Sequence, residues 1–293
     1  MDKQQLKHLI ASRIHEDGLV ETGIKGVQLF RATTAIPCAP AVYEPSVIAI
    51  VSGAKEAVLD GERYVYDDSR YMCCPLSMPV TAGTPDASPD NPLYGVYICL
   101  DQRVMTELVM ELENASGPIA DKRPTGRQGI WLARWSQPFF DALFRLLQLG
   151  SSPVDTAILG NARLREVYYA ILRGEAGGMA TQAFAPGNGI ARSIAHMTSD
   201  LGAPVSIDDM AARAGMSRAV FHRKFKQATT LSPVQFVKSM RLNNAAMKIA
   251  AGMTVNEAAL DVGYVSASQF SREFKRLYGQ SPRQWGHAQH LSA

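Results

Sequence analysis

Histidine is almost missing from the first two thirds of this 293-residue chain: after His8 and His15, the next is His196. A Ser-His-Asp or Cys-His arrangement needs an imidazole beside its nucleophile, and a metal centre built on strand histidines needs several. Neither can be drawn among the intervening residues, so triad hydrolysis and metal-dependent chemistry are excluded there, and no metal or other cofactor is expected. Cysteine is scarce too. Cys38, Cys73, Cys74 and Cys99 include no C-x-x-C pair and no metal-ligand spacing. Adjacent strand residues face opposite ways, so Cys73 and Cys74 would put at most one thiol inward, and no cation flanks them directly to activate it. They read as inert rather than as a thiol sensor, and Cys38, between Pro37 and Pro40, reads as a loop residue. No apolar run is long enough to cross a bilayer, and the opening Met-Asp-Lys-Gln-Gln-Leu-Lys-His lacks the apolar stretch of a secretion signal. A cytoplasmic protein is the expectation.

The net charge of +3 hides a division. Residues 1–189 carry 17 Lys+Arg against 21 Asp+Glu, a net −4, whereas residues 190–293 carry 13 against 6, a net +7. A basic C-terminal third is the electrostatic footprint of a nucleic-acid binder. That same third contains one pattern written twice. Ser217, Phe221, Arg223, Phe225, Lys226, Ser232, Pro233 and Phe236 return 49 positions later as Ser266, Phe270, Arg272, Phe274, Lys275, Ser281, Pro282 and Trp285. In each copy the first Ser suits an N-cap, and the aromatics four apart fall on one helix face. The opposite face presents Arg218, Ala219, His222 and Arg223 in the first copy, and Ala267, Ser268, Ser271, Arg272 and Arg276 in the second. A shorter apolar-patterned helix precedes each, ending at Gly215 or Gly263, with Ser206/Asp209 and Thr254/Glu257 placed as capping boxes. Helix, glycine turn, helix, repeated, is a pair of helix-turn-helix units.

On these residues, Ile190 to Trp285 resembles the DNA-binding domain of the AraC/XylS class of bacterial transcription regulators. The most specific stretch is Glu257-Ala258-Ala259-Leu260-Asp261-Val262-Gly263-Tyr264, with Ser266, Gln269 to Arg276, Gly279 and Ser281-Pro282. The resemblance implies a bilobed helical domain whose long helix, Pro233 to about Ala250, joins two units that enter successive major grooves. It places base contacts on Ala219, His222 and Arg223, and on Ser268, Ser271 and Arg272. Arginine makes bidentate contacts to guanine, while Ala219 offers no more than contact with a thymine methyl. Lys226, Lys275 and Arg276 lie late in their helices, where phosphate contacts are expected.

Residues 1–180 read differently. Short strand-like runs at Val27–Arg31, Ser46–Val51, Glu56–Leu59, Tyr64–Tyr66, Tyr71–Cys74 and Tyr94–Leu100 alternate with turns such as Asp60-Gly61. Helical spacing follows over Asp101–Asn114, Pro138–Leu149 and Pro153–Leu172, and the glycine-rich stretch Gly174–Gly189 reads as a flexible boundary. Lys122-Arg123 and Arg127 read as solvated surface. Val42-Tyr43-Glu44-Pro45-Ser46, Pro79-Val80-Thr81-Ala82 and Leu132-Ala133-Arg134 are similar to the N-terminal domain of one AraC-type subgroup, which implies a small cupin-like barrel able to hold a ligand. Tyr64, Tyr66, Met72, Cys74, Tyr94 and Tyr97 are the candidate effector-binding residues, with filling of the core as their plain alternative.

The expected fold class is therefore α+β: an N-terminal antiparallel β-barrel with packed helices over residues 1–180, then an all-α double helix-turn-helix domain over 190–293. The expected function is sequence-specific, ligand-responsive transcriptional regulation, by activation. Promoter DNA, RNA polymerase, an unidentified small molecule and a second copy of the chain are the expected partners. A metal-free barrel enzyme fused to a DNA-binding module, or a constitutive DNA binder, are the alternatives.

Overall fold

The computed structural model describes residues 3–116 and 129–290. Lys122, Arg123 and Arg127, and the side chain of His290, lie outside the described residues. Helix α1 (Lys3–Ala11) buries Leu6 and Ile10. It ends well before Leu19, which sits exposed in strand β1 (Gly18–Glu21).

The strands form two antiparallel sheets. The larger takes β1, β2 (Val27–Ala32), β9 (Leu93–Cys99), β4 (Ser46–Ser52), β7 (Arg70–Cys74) and β10 (Trp131–Arg134) in that spatial order. The smaller is ordered β3 (Ile36–Tyr43), β8 (Met78–Thr84), β5 (Ala54–Leu59), β6 (Glu62–Asp67). The expected cupin-like barrel does not form, because neither sheet closes. One keeps β1 and β10 as edges, and the other keeps β3 and β6. Closure needs a ladder that continues around the whole perimeter with a consistent stagger. Here β1 and β10 are four residues long. Strand β3 carries Pro37 and Pro40, which have no amide proton to donate and so suit a sheet edge. Between β5 and β6, Asp60 and Gly61 both take positive φ (51° and 78°), the geometry of a two-residue hairpin turn.

Strand β7 is covered on both sides, so Cys73 and Cys74, although they face opposite ways, are both fully buried. Burial pushes the Cys73 thiol up to about 12 and the Cys74 thiol well above its ordinary value, the reverse of an activated sulfur. Cys38 belongs to β3 rather than a loop. Its thiol donates to the Glu56 carboxylate at 2.9 Å, and burial together with that neighbour raises its pKa to about 11.

Helices α2 (Gln102–Ser116), α3 (Gln137–Gln148) and α4 (Pro153–Arg173) pack beside the sheets. Phe139 of α3 stacks on Tyr71 of β7 with ring centroids 4.3 Å apart, and the Tyr168 hydroxyl of α4 donates to the Cys99 carbonyl. Arg145 pairs with Glu166 between α3 and α4. The glycine-rich stretch read as a flexible boundary contains α5 (Gly177–Phe184), with Met179, Ala180 and Phe184 buried. A Cβ on Gly177 would lie 2.0 Å from the Leu172 carbonyl oxygen, so close backbone packing, not freedom, requires glycine there.

The chain divides into two compact units. The first comprises Met1–Cys38, Glu44–Leu76 and Ala82–Asn188; the second comprises Gly189–Ala293 together with two strand segments, Ala39–Tyr43 and Ser77–Thr81. Among the described residues no helix is long and apolar enough to cross a membrane, and no group of three or more His, Cys, Asp or Glu is placed to hold a metal ion.

Candidate nucleic-acid interface

The second unit is built from α6 (Gly189–Ser199), α7 (Ile207–Arg213), α8 (Arg218–Thr229), α9 (Pro233–Ala250), α10 (Val255–Asp261), α11 (Ala267–Tyr278) and α12 (Pro282–His290). Ser217 and Ser266 cap α8 and α11, each accepting from the amide three residues on. Gly215 (φ 67°) and Gly263 (φ 86°) make the turns that separate α7 from α8 and α10 from α11. Of the two expected capping boxes, Thr254 and Glu257 complete theirs, whereas Ser206 accepts from the Asp209 amide without the reciprocal bond. Aspartate is one methylene shorter than glutamate, which explains the missing half. A further full box, Ser232 with Gln235, starts the long helix α9.

The aromatic positions of the repeat become the two cores. Phe221, Phe225 and Phe236 are completely buried with centroids 5.4 and 5.2 Å apart, and Phe270 and Phe274 repeat the pair at 5.5 Å. With those faces anchored, Arg218, Ala219, Arg223 and Lys226 of α8 and Ser268, Arg272, Lys275 and Arg276 of α11 are exposed, while His222 and Ser271 are half-buried. Each helix thus brings its candidate contact residues onto one outward surface. Arg218 is tied to Asp208 of α7 at 3.1 Å. No ion pair engages Arg223, Lys226, Arg272, Lys275 or Arg276 among the described residues, which leaves these cations available to an external anion.

Two of the positions at which the repeats diverge change the local structure. Where the second copy has Gly279 at φ 75° closing α11, the first has Thr230 at φ 69° closing α8, with its hydroxyl buried and unpartnered. A β-branched residue pays for left-handed backbone that glycine adopts freely. Thr230→Gly is accordingly expected to raise the unfolding free energy by about 1 kcal/mol, after allowance for the extra freedom of the unfolded chain. Urea denaturation of the two proteins measures this, and an unchanged or lower midpoint would refute the strain.

The second divergence is a charge reversal, Lys224 in the first copy against Glu273 in the second. Lys224 is exposed, whereas Glu273 accepts from the Tyr264 hydroxyl at 2.9 Å and pairs with Lys238 of α9 at 3.1 Å. Burial pulls the Glu273 carboxyl upward, but the bonds from Tyr264 and Lys238 outweigh it and hold the pKa below its ordinary value. Helix α11 is therefore fixed to α9 by polar contacts that α8 lacks. Sequence reading passed over this hub, although the reversal between otherwise matched helices was visible. It also passed over Asn243 of α9, which is 4% exposed. The Asn243 amide donates to the carbonyls of Ala41 and Val80, both at 2.7 Å, and its oxygen accepts from the Tyr278 hydroxyl at 2.6 Å. All these residues belong to the second unit.

The candidate effector residues sit in the strands as follows. Tyr66, Met72 and Cys74 are fully buried, and Tyr64, Tyr94 and Tyr97 are half-buried. Tyr94 and Tyr97, three apart on β9, take opposite faces. Two clefts of the first unit have other linings: one of about 530 Å3 between α2 and α4, floored by Leu164 and Tyr168, and one of about 580 Å3 beside Trp135.

Residues 23–179 match the family described as AraC-type transcriptional regulator N-terminus, and residues 210–288 match a helix-turn-helix domain. The HTH-type transcriptional regulator MtrA of Neisseria gonorrhoeae is 43% identical over 81 residues, 27% of each chain. Regulatory protein SoxS of Escherichia coli K12 is 30% identical over 95 residues, 32% of this chain and 89% of SoxS. The match thus spans about a quarter of MtrA. Among solved structures, that of unsaturated fatty acid bound ToxT from Vibrio cholerae is similar in fold, with a TM-score of 0.57 and 12% identity over 93% of this chain and 97% of ToxT.

Proposed function

The chain belongs to the AraC-type transcriptional regulators, and we propose that it recognises promoter DNA through both helix-turn-helix units and activates transcription in response to a small molecule sensed by its first unit. It is a sequence-specific DNA-binding regulator and not an enzyme, as its family is. The observation that carries the finer reading is the pair of capped helices whose matched arginines, Arg223 and Arg272, stand exposed and unpaired above buried aromatic anchors. In this reading α8 and α11 enter neighbouring major grooves. Arg223 and Arg272 read guanines, His222, Ser268 and Ser271 make further base contacts, and Ala219 meets a thymine methyl. Arg218, Lys226, Lys275 and Arg276 hold phosphates. The protein acts in the cytoplasm, as a homodimer, beside RNA polymerase at the promoter. Similarity to a structure with a bound unsaturated fatty acid supports effector sensing as the role of the first unit.

Arg272→Ala is expected to cost about 1–3 kcal/mol on the cognate site, roughly 5- to 150-fold in Kd, and to relax preference at one base pair. Lys275→Ala should weaken cognate and random DNA alike and lower the salt slope by about one. Anisotropy titrations on both DNAs at several salt concentrations separate the two. Equal losses on both DNAs for Arg272→Ala would defeat this division of labour, and the lack of any discrete footprint on promoter DNA would defeat the function.

A further inference from the structure

The 580 Å3 cleft of the first unit is lined by Lys3, Ser69, Arg70, Arg134, Trp135, Ser136, Gln137 and Phe140: three cations and no carboxylate. Four parts of the unit meet there, namely the start of α1, the turn into β7, the end of β10 and the entrance to α3. Their arrangement is held from outside the cleft. The Trp135 amide donates to the Ser69 carbonyl, Asp67 accepts from both the amide and the hydroxyl of Ser69, and Ser136 caps α3. Four carboxylates outside the lining touch it: Asp67 through Ser69, Asp141 through the Gln137 amide at 2.8 Å, and Asp68 and Glu175, the last of which also attracts Arg70. Asp68 reaches Lys3 at 3.9 Å, and Glu175 accepts from the Arg134 amide and lies 3.5 Å from its guanidinium.

Two groups remain unanswered. Arg70 is exposed and makes no ion pair among the described residues. The Trp135 indole N–H is buried with no hydrogen-bond partner. A buried donor left unpaired costs more than it returns unless something occupies it. The apolar wall is supplied by Phe140 and the Trp135 ring, with the Lys3 ammonium 5.5 Å above that ring. Unpaired cation, orphan donor, the opening turn of a twelve-residue helix and an aromatic wall in a cavity of ligand size together suit one chemistry.

We propose that this cleft binds a small organic oxyanion, its carboxylate or phosphate oxygens received by Arg70, Lys3 and Arg134 with the Trp135 N–H, and its apolar body against Phe140 and Trp135. A guanidinium is suited to either head group, because both present paired oxygens to its planar fork. That the bound anion then changes promoter affinity rests on the effector-responsive reading given above.

The test titrates the full chain with phenylacetate and with phenyl phosphate, using inorganic phosphate, acetate and chloride at matched ionic strength as the other arms. Tryptophan fluorescence and the melting temperature are the readouts. Saturable binding of either aromatic anion, weakened at least about tenfold by Arg70→Gln and severalfold by Trp135→Phe, is expected, since a charge-assisted bond is worth roughly that much. The tighter of the two identifies the head group. Arg70 makes no ion pair and only a longer-range attraction to Glu175, so Arg70→Gln shifts the melting temperature of the free protein little. Equal binding of inorganic phosphate would reduce the cleft to a simple ion site and overturn the proposal. So would equal binding by Arg70→Gln, or no saturation by either aromatic anion. Promoter affinity is measured separately: saturation without any change in it keeps the site and removes its regulatory role, whereas loss of all promoter binding by the free protein would count against the function and not against the cleft.

Discussion

Asn243→Ala is expected to lower the unfolding free energy of the chain by about 3 kcal/mol, while Asn244→Ala changes it by less than about 0.5 kcal/mol. The two asparagines are neighbours on α9 and have equal helix propensity, so the difference comes entirely from what each side chain meets. Asn244 returns its amide to the Met240 carbonyl of its own helix, a bond that alanine makes unnecessary. Asn243 answers three groups on other elements: the carbonyls of Ala41 and Val80 and the hydroxyl of Tyr278. Each buried polar group left unpaired costs about 1–3 kcal/mol, against which the better helix propensity of alanine returns about 0.5 kcal/mol. Tyr278 ends α11, and its ring packs edge-on to Phe274 at 4.5 Å, so the loss falls where the second recognition helix joins the core. Chemical denaturation of both variants decides the matter. Equal midpoints for the two would mean that the Asn243 bonds are not formed in solution.

Phe274→Ala is expected to cost about 3–5 kcal/mol, the range for emptying a large aromatic site in a packed core. Phe274 is completely buried in one cluster with Leu242, Ala246, Ile249, Phe270 and Trp285. Leu277, on the same helix but 48% exposed, provides the control. Leu277→Ala should cost under about 1 kcal/mol, because little of its surface is withdrawn from water. Urea midpoints, followed through the buried Trp285, give both numbers. A Phe274→Ala loss no larger than that of Leu277→Ala would show that the second helix-turn-helix core is not packed as described.

The DNA-facing helices were legible because everything that makes them is local. A Ser cap, aromatics four apart and a glycine turn act within a dozen residues, so their spacing carries the geometry with it. The repeat added a second reading of the same signal. Prolines at 37 and 40 hid β3, since proline argues against a strand until the strand is known to be an edge. Strand β1, with four residues all exposed, has no alternation to detect. Glycines at 174–189 read as freedom from the sequence, and only the backbone of Leu172 against Gly177 reveals that this one is there for closeness, while Gly187 keeps a positive φ in open space.

By itself, then, the sequence determined the duplicated helix pair, its basic outward face and the division of charge between the two parts of the chain. These depend on neighbours within a few turns or on composition alone. Tertiary structure decided that the sheets stay open, that Asn243 and not Asn244 is buried and bonded, that Glu273 locks one recognition helix while Lys224 leaves the other without such contacts, and that three distant cations line a single cleft. Each of those depends on residues tens to hundreds of positions apart, whose pairing energy exists only after the chain has closed the loops between them.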